Sequence, residues 1–235
     1  MAASLTHLVA GFLVVAPVFW VLERRWPSIR TQRIFRDGFS TDLGYWVFTP
    51  LITRAISRFG VVAAVVVVGA AHGVPAERTA LLQYVTTPRG WVGTLPRWGQ
   101  VIALLAAGDF IAYWVHRAFH RGRLWRFHAV HHSSRELDWL SSVRLHPVND
   151  VTARMIQVAF LMTLGFPAGL LAAYVPFLTF YAVLLHANVS WNFGPFRYVL
   201  ASPTFHRWHH TSELEGLDRN YAGMFPIFDL AFGTF

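Results

Sequence analysis

The chain has no cysteine and no lysine among its 235 residues, and only 14% of them are charged. Without cysteine, disulfides, thiolate metal sites and cysteine nucleophiles are excluded. Without lysine, all 20 basic side chains are arginine, which stays charged in any environment and grips carboxylates and phosphates bidentately. The scarcity of charge falls well short of the roughly 25% found in ordinary soluble domains, whereas 54% of the residues are hydrophobic and the mean hydropathy is +0.40. A membrane protein is therefore expected, one domain long, over residues 1–235. There is also no GxGxxG nucleotide fingerprint and no HExxH motif. The net charge of +8 does not point to nucleic acid, because the arginines sit in short loops between apolar runs. An anionic lipid surface is the expected partner.

Residues 5–22 form a first apolar run that stops at "ERRW" and lacks the basic start and cleavage site of a signal peptide. A second run covers about residues 43–71, with Arg54 and Arg58 interrupting it, so that part of it is expected in the interface. A third covers about 98–115. The fourth and fifth, 151–166 and 168–186, are joined by "GFPAG". They fall short of the ~20 residues of a full span and are expected as a helical hairpin buried among the others or as one in locally thin membrane. The expected fold is all-α, an integral-membrane helical bundle, with spans in 1–97 and a histidine-rich region in 98–235. Residues 23–36 carry Arg24, Arg25, Arg30, Arg33 and Arg36, and residues 117–144 carry Arg117, Arg121, Arg123, Arg126, Arg135 and Arg144. The positive-inside rule then places the N-terminus outside, and both loops and the C-terminal tail in the cytoplasm.

Ten of the 12 histidines fall between residues 116 and 210. His116 and His120 stand at i, i+4. His128, His131 and His132 in "FHAVHH" stand at i, i+3, i+4, and His206, His209 and His210 in "FHRWHH" repeat that spacing. Each spacing puts its group on one helical face. Imidazole is the commonest neutral metal ligand, and eight imidazoles exceed what one ion needs and suit two. The adjacent pairs, His131 with His132 and His209 with His210, diverge enough to reach one ion each. His7 and His72 read as ordinary structural histidines, and a pH sensor would not need the same pattern twice. His186, ending the fifth run, is a further candidate ligand. Asn188 could supply an oxygen, and His146, before a proline, reads as either ligand, ligand support or helix cap. Asp109 is an ionisable group inside an apolar run, a placement usually reserved for function. Two turns before His116, it is expected to hydrogen-bond that imidazole and fix its tautomer.

Together "DFIAYWVHRAFH", "FHAVHHSS", "LLHANV", "FHRWHHT" and "DRNYAGMFPIFDLAFGTF" resemble the fatty acid hydroxylase / sterol desaturase superfamily, and the C-terminal arrangement is similar to its alkylglycerol monooxygenase branch. The resemblance covers residue 100 to the end. It implies a di-iron centre with His116, His120, His128, His131, His132, His186, His206, His209 and His210 as ligands, zinc being able to replace iron on purification. Members of the superfamily often carry a second histidine one turn after the position of His186. Here that position is Ser190, so a tenth ligand could be His146, Asn188 or water. The implied reaction uses O2 to hydroxylate, or alternatively desaturate, a lipid drawn from the bilayer. Electrons would come from a separate ferredoxin or small cytochrome, for which Arg117, Arg121, Arg123 and Arg126 offer a basic surface. Phe110, Tyr113, Trp114 and Tyr181 are candidates for the lipid's route or for plain helix packing. A multi-pass protein of a bacterial inner membrane, with its histidines on the cytoplasmic face, is the expected setting. A zinc hydrolase and a metal transporter are the competing readings. The missing HExxH speaks against the first, and the clustering of ligands at one face, away from mid-bilayer, against the second.

Overall fold

In a bilayer only helices and closed barrels pair every backbone N–H and C=O internally, so long apolar runs of this kind are committed to helix. The computed structural model describes residues 5–235; residues 1–4 of the expected domain lie outside the described residues. No strand occurs among those described, only an isolated bridge between Pro27 and Val189.

Helix α1 (Leu5–Arg25) buries only Phe19 and leaves Leu13 and Val14 exposed, as suits a span packed on one side. Helices α2 (Phe39–Phe48) and α3 (Arg54–Ala71) join through a π-helical turn, Thr49–Thr53, into one rod of 33 residues. Pro50 lacks an N–H, and the wider turn absorbs the missing donor. The irregularity in this run therefore lies at Pro50, and the helix continues through Arg54 and Arg58, the charges that interrupt the apolar run. Short α4 (Arg78–Thr86) and α5 (Gly90–Thr94) precede α6 (Arg97–Phe119), which ends in the first histidines. After α7 (Trp125–His132) come α8 (Pro147–Thr163) and α9 (Ala168–His186); they follow one another across a short turn but do not pack as the closed hairpin that the sequence suggested, and α9, expected to be too short for a span, is long and apolar enough to be one. Helix α8 packs along α3 and α6. Gly108 of α6 faces Tyr174 of α9 so closely that a Cβ there would run into the phenol oxygen. Four helices are long and apolar enough to cross a membrane: α1, the α2–α3 rod, α6 and α9. The protein is a multi-pass membrane helical bundle.

The tail adds α10 (Pro203–His209) and α11 (Ile227–Ala231). Phe228 of α11 and its C-cap Phe232 pack on Phe110, Tyr113 and Trp114 of α6, and Tyr113 is fully buried. These aromatics fasten the tail to the bundle.

A buried ion network ties the start of α2 to the segment before α8. Arg36 reaches both oxygens of Asp138, at 2.7 and 2.5 Å, and Asp42 at 2.7 Å, while Arg144 reaches Asp42 at 2.5 Å. Arg36 and Arg144, counted by sequence among the loop arginines that mark topology, are thus core residues, 4% and 6% exposed. Their charge is spent on carboxylates.

Candidate metal centre

Four helical segments deliver histidines to one end of the bundle. Helix α6 brings His116 in its last turn and His120 at its C-cap, and α9 ends at His186. The short α7 carries His128, His131 and His132; α10 carries His206 and His209, with His210 as its C-cap. The carbonyl ends of α6 and α9 bear partial negative charge, which favours a cation there.

The nine rings sort into two groups. His116, His120, His128, His132 and His209 form one; His131, His186, His206 and His210 form the other. Within each group, one nitrogen per ring lies within 4.8 Å of all the rest. The groups abut, with His132 of the first stacked on His210 of the second at 4.2 Å between centroids. Adjacent histidines part company: His131 and His132 go to different groups, as do His209 and His210.

Outer hydrogen bonds set the tautomers. His116 donates Nδ1–H to the Tyr221 carbonyl, His131 to Arg144, His186 to Ala182 and His209 to Arg219, at 2.6–3.1 Å. A carbonyl only accepts, so in each of these rings Nε2 is a bare lone pair. Yet Nε2 of His131 and Nε2 of His186 stand 3.0 Å apart. His116 and His128 repeat this at 3.0 Å, with Nδ1 of His128 bonded to Oδ1 of Asn149 at 2.8 Å. Two facing lone pairs repel unless a proton or a cation lies between them. A proton is disfavoured. Burial, reinforced by neighbouring imidazoles, pushes His128 down to about 2 and His120 down to about 3, and holds His131, His206, His209 and His210 well below the ordinary histidine value. Nε2 of His120 and Nε2 of His209 are buried with no hydrogen-bond partner at all. Both groups can therefore hold a metal cation.

Spacing adds to the fit. Nitrogens about 2.1 Å from a shared ion sit about 3.0 Å apart at right angles and about 3.4 Å apart at tetrahedral angles. Five Nε2 pairs lie at 3.0–3.2 Å, within reach of a shared ion, and the other candidate donor nitrogens of each group stand within 4.8 Å of them.

Two sequence expectations change, for Asp109 and Asn188, and the alternatives left open for His146 resolve to the helix cap. Asp109 does not touch His116; its carboxylate accepts from the backbone N–H of Gly223, Met224 and Phe225 at 2.7–3.0 Å. Asp229 accepts likewise from Tyr221 and Ala222. Two buried carboxylates so hold five consecutive amides, residues 221–225, and this turn carries the Tyr221 carbonyl that orients His116. Asp109 reaches the histidine only through the backbone. His146 lies outside both groups and caps α8, Nδ1 accepting from Val148 N at 3.1 Å; a histidine just before Pro147 at the first helical position has its ring in the N-cap place. Asn188 brackets the N-terminal loop instead of facing the rings, accepting from Ile29 N and donating to Ile29 O. Asn149 and the ion network behind the Arg144 carbonyl are supports the sequence did not disclose. Asn149 follows the "HP" helix-start signal by two residues, on the first turn of α8.

A cavity of about 410 Å³ opens onto the rings, walled by His120, His132, His209 and His210 with Trp125 and Leu217 at its edge. It is the open face of the centre and touches both groups.

Fold and site thus define a membrane helical bundle with two adjoining all-imidazole groups, each able to hold a metal ion. The model of the fatty acid hydroxylase family matches residues 101–234, a stretch that contains all nine histidines. The chain belongs to the fatty acid hydroxylase family. It is 32% identical over 146 residues to the ornithine lipid hydroxylase OlsE of Rhizobium tropici, covering 62% of this chain and 44% of that protein. It is 33% identical over 128 residues to the alkylglycerol monooxygenase of Homo sapiens, covering 54% and 28%. With the very-long-chain aldehyde decarbonylase GL1-6 of Oryza sativa subsp. indica it shares 31% identity over 178 residues, covering 66% and 27%. The chain spans less than half the length of these relatives. No solved structure matches it.

Proposed function

We propose that the protein is an integral-membrane di-iron oxygenase that hydroxylates an unactivated C–H bond of a lipid, using O2 and electrons from a separate carrier. Residues 1–97 serve as membrane spans and 98–235 as the catalytic region. The observation that carries this reading is the pair of imidazole groups whose inner lone pairs face one another with no proton to separate them. In this reading His116, His120, His128, His132 and His209 hold one ion, and His131, His186, His206 and His210 hold the other. When bound, two ferrous ions supply the electrons and the Lewis acidity for activating O2 against a C–H bond. Neutral nitrogen donors suit iron, zinc, copper or nickel, and five imidazoles in one group exceed the four that a tetrahedral zinc takes, which favours iron. Two of the similar proteins bear the names hydroxylase and monooxygenase, which favours hydroxylation over desaturation.

The chain's own groups do the positioning. The carbonyls of Tyr221, Arg144, Ala182 and Arg219 aim the rings. Asp109 acts as a positioning residue by fixing the turn that bears Tyr221, and the cavity beside His120 and His132 admits the reacting carbon while the buried inner rings exclude water. The arginine count of the loops favours the cytoplasmic face of a bacterial inner membrane for this centre. The exposed Arg121, Arg123 and Arg126 beside α7 would steer an acidic ferredoxin or small cytochrome. Water, in place of His146 or Asn188, completes the smaller group.

The test is purified protein loaded anaerobically with iron, given a reductant, O2 and a total lipid extract, with products read by mass spectrometry. Two irons per chain and an O2-dependent gain of one oxygen are expected. Bound metal with no oxygen-dependent product, under iron as well as zinc, overturns the proposal.

A further inference from the structure

A second cavity, about 490 Å³, lies between α1 and the loop of residues 27–39, away from the histidines. Its volume falls within the roughly 300–1,000 Å³ typical of small-ligand sites. One wall is hydrocarbon: Phe12, Leu13, Ala16 and Trp20 of α1, with Phe35 across from them. Leu13, Trp20 and Phe35 remain 67%, 51% and 78% exposed, so this wall has no protein cover. From Phe12 to Arg24, α1 rises roughly 18 Å, so the groove runs from within the span to its end. That end is basic. Arg24, Arg30 and Arg33 line both this cavity and an adjoining one. All three are exposed, and none has an ion pair or hydrogen bond among the described residues. They contrast with Arg36, three residues on, which is buried on two aspartates. Gln32, between them in the lining, donates Nε2–H to the Leu137 carbonyl but leaves Oε1 buried without a partner.

An apolar slot inside the bilayer, a cluster of unpaired cations at its mouth and a buried acceptor lacking a donor describe one ligand chemistry. We infer that this groove binds a single lipid with an anionic headgroup carrying a hydroxyl or amide donor, its acyl chain along α1 and its headgroup on Arg24, Arg30 and Arg33. Most of the groove's lining lies outside the family match, residues 101–234, with only Asp138, Trp139 and Asn188 inside it, and no histidine of the centre takes part, so the inference does not rest on the oxygenase reading. Its inner end is formed by Glu23, Asp138 and Asn188, and Glu23 accepts the backbone N–H of Trp139 and of Asn188. The lipid would therefore stand against the joint between α1 and the end of α9, two residues beyond His186.

Full-length protein in detergent is mixed with phosphatidylglycerol or with phosphatidylcholine of the same acyl chains, and retained lipid is counted by native mass spectrometry. The wild type is expected to keep one phosphatidylglycerol in preference to phosphatidylcholine. Each arginine contributes about fivefold to attraction for an anionic lipid, so Arg30→Gln with Arg33→Gln should cut that preference about tenfold or more while leaving phosphatidylcholine retention unchanged. Leu13→Trp, at a lipid-exposed position, should obstruct the slot and lower retention of both lipids. Equal retention of the two lipids by the wild type, or an unchanged preference in the double arginine variant, overturns the inference. The readout needs no metal and no turnover: a protein that retains the lipid but makes no oxygenated product sinks the oxygenase proposal and leaves this one standing.

Discussion

Replacing Asp42 by asparagine isolates what the buried ion network does. Asp42 is 0% exposed, with one oxygen 2.7 Å from Arg36 and the other 2.5 Å from Arg144. Asparagine preserves the shape, removes the charge and turns an NH2 toward a guanidinium. Arg36 keeps its bidentate pair with Asp138. Arg144 is left with Ser133 Oγ and the Gly38 carbonyl and has no carboxylate. Breaking a buried pair from one side costs about 3–5 kcal/mol, a large part of the 5–15 kcal/mol that typically holds a domain. At about 2–4 °C per kcal/mol for a chain of this size, Tm should fall by about 6–20 °C. Because the Arg144 carbonyl aims His131, the four-histidine group should lose its ion before the other does. The assay is thermal unfolding in detergent of the wild type, Asp42→Asn, Arg144→Met and the double variant, with iron counted per chain. If Asp42→Asn melts within about 3 °C of the wild type, or if the double-mutant cycle gives a coupling below about 0.5 kcal/mol, the network is not what holds this segment.

His131→Ala should drop the iron content from two ions per chain to one, as it leaves three nitrogens in its group, whereas His132→Ala leaves four and should retain more metal; elemental analysis with EPR distinguishes them. His146→Ala should lower Tm through the lost α8 cap, worth about 0.5–2 kcal/mol, with metal content unchanged; loss of an ion would make it a ligand. The metal-free protein should weaken as pH falls below about 6.5. There the unfolded histidines take up protons that the folded ones refuse until about pH 3 for His120 and about pH 2 for His128, so stability drops with pH across that window. A Tm that stays flat between pH 7.5 and 5 would refute this.

The long apolar helices and the histidine faces were legible because each rests on a local signal, a hydrophobic run or a short spacing, although the helix ends moved by up to about four residues. The 3.6-residue repeat places i, i+3 and i+4 together whatever the rest of the chain does. What escaped reading depends on which distant backbone meets a side chain. Asp109 looked like a partner for His116, two turns along α6; its real partners, Gly223 to Phe225, are 114–116 residues away. Arg36 and Arg144 looked like surface topology marks because arginine in a loop carries the same signal whether it faces water or a buried aspartate. Asn188 beside His186 invited a ligand role, yet the helix ends at His186 and Ala187 turns extended, aiming the next residue at the N-terminal loop.

That same turn explains why the centre is uneven. Each triplet sends its i and i+4 rings to one group and its i+3 ring to the other: His128 and His132 lie with the first group while His131 crosses over, and His206 and His210 lie with the second while His209 crosses over. The pattern is a swap with near two-fold symmetry, and it accounts for three rings on each side. The remaining pair, His116 with His120 at i, i+4 on α6, has its counterpart in His186 and position 190 after α9. Had α9 continued one more turn, residue 190 would stand beside His186 as His120 stands beside His116. Instead the chain leaves the helix, Val189 bridges Pro27, and Ser190 N bonds to the Trp26 carbonyl. The tenth donor is absent for two reasons at once, a serine in the sequence and an extended backbone in the fold, so changing Ser190 to histidine alone would not restore it. The consequence is an uneven centre, with five candidate nitrogen donors in one group and four in the other.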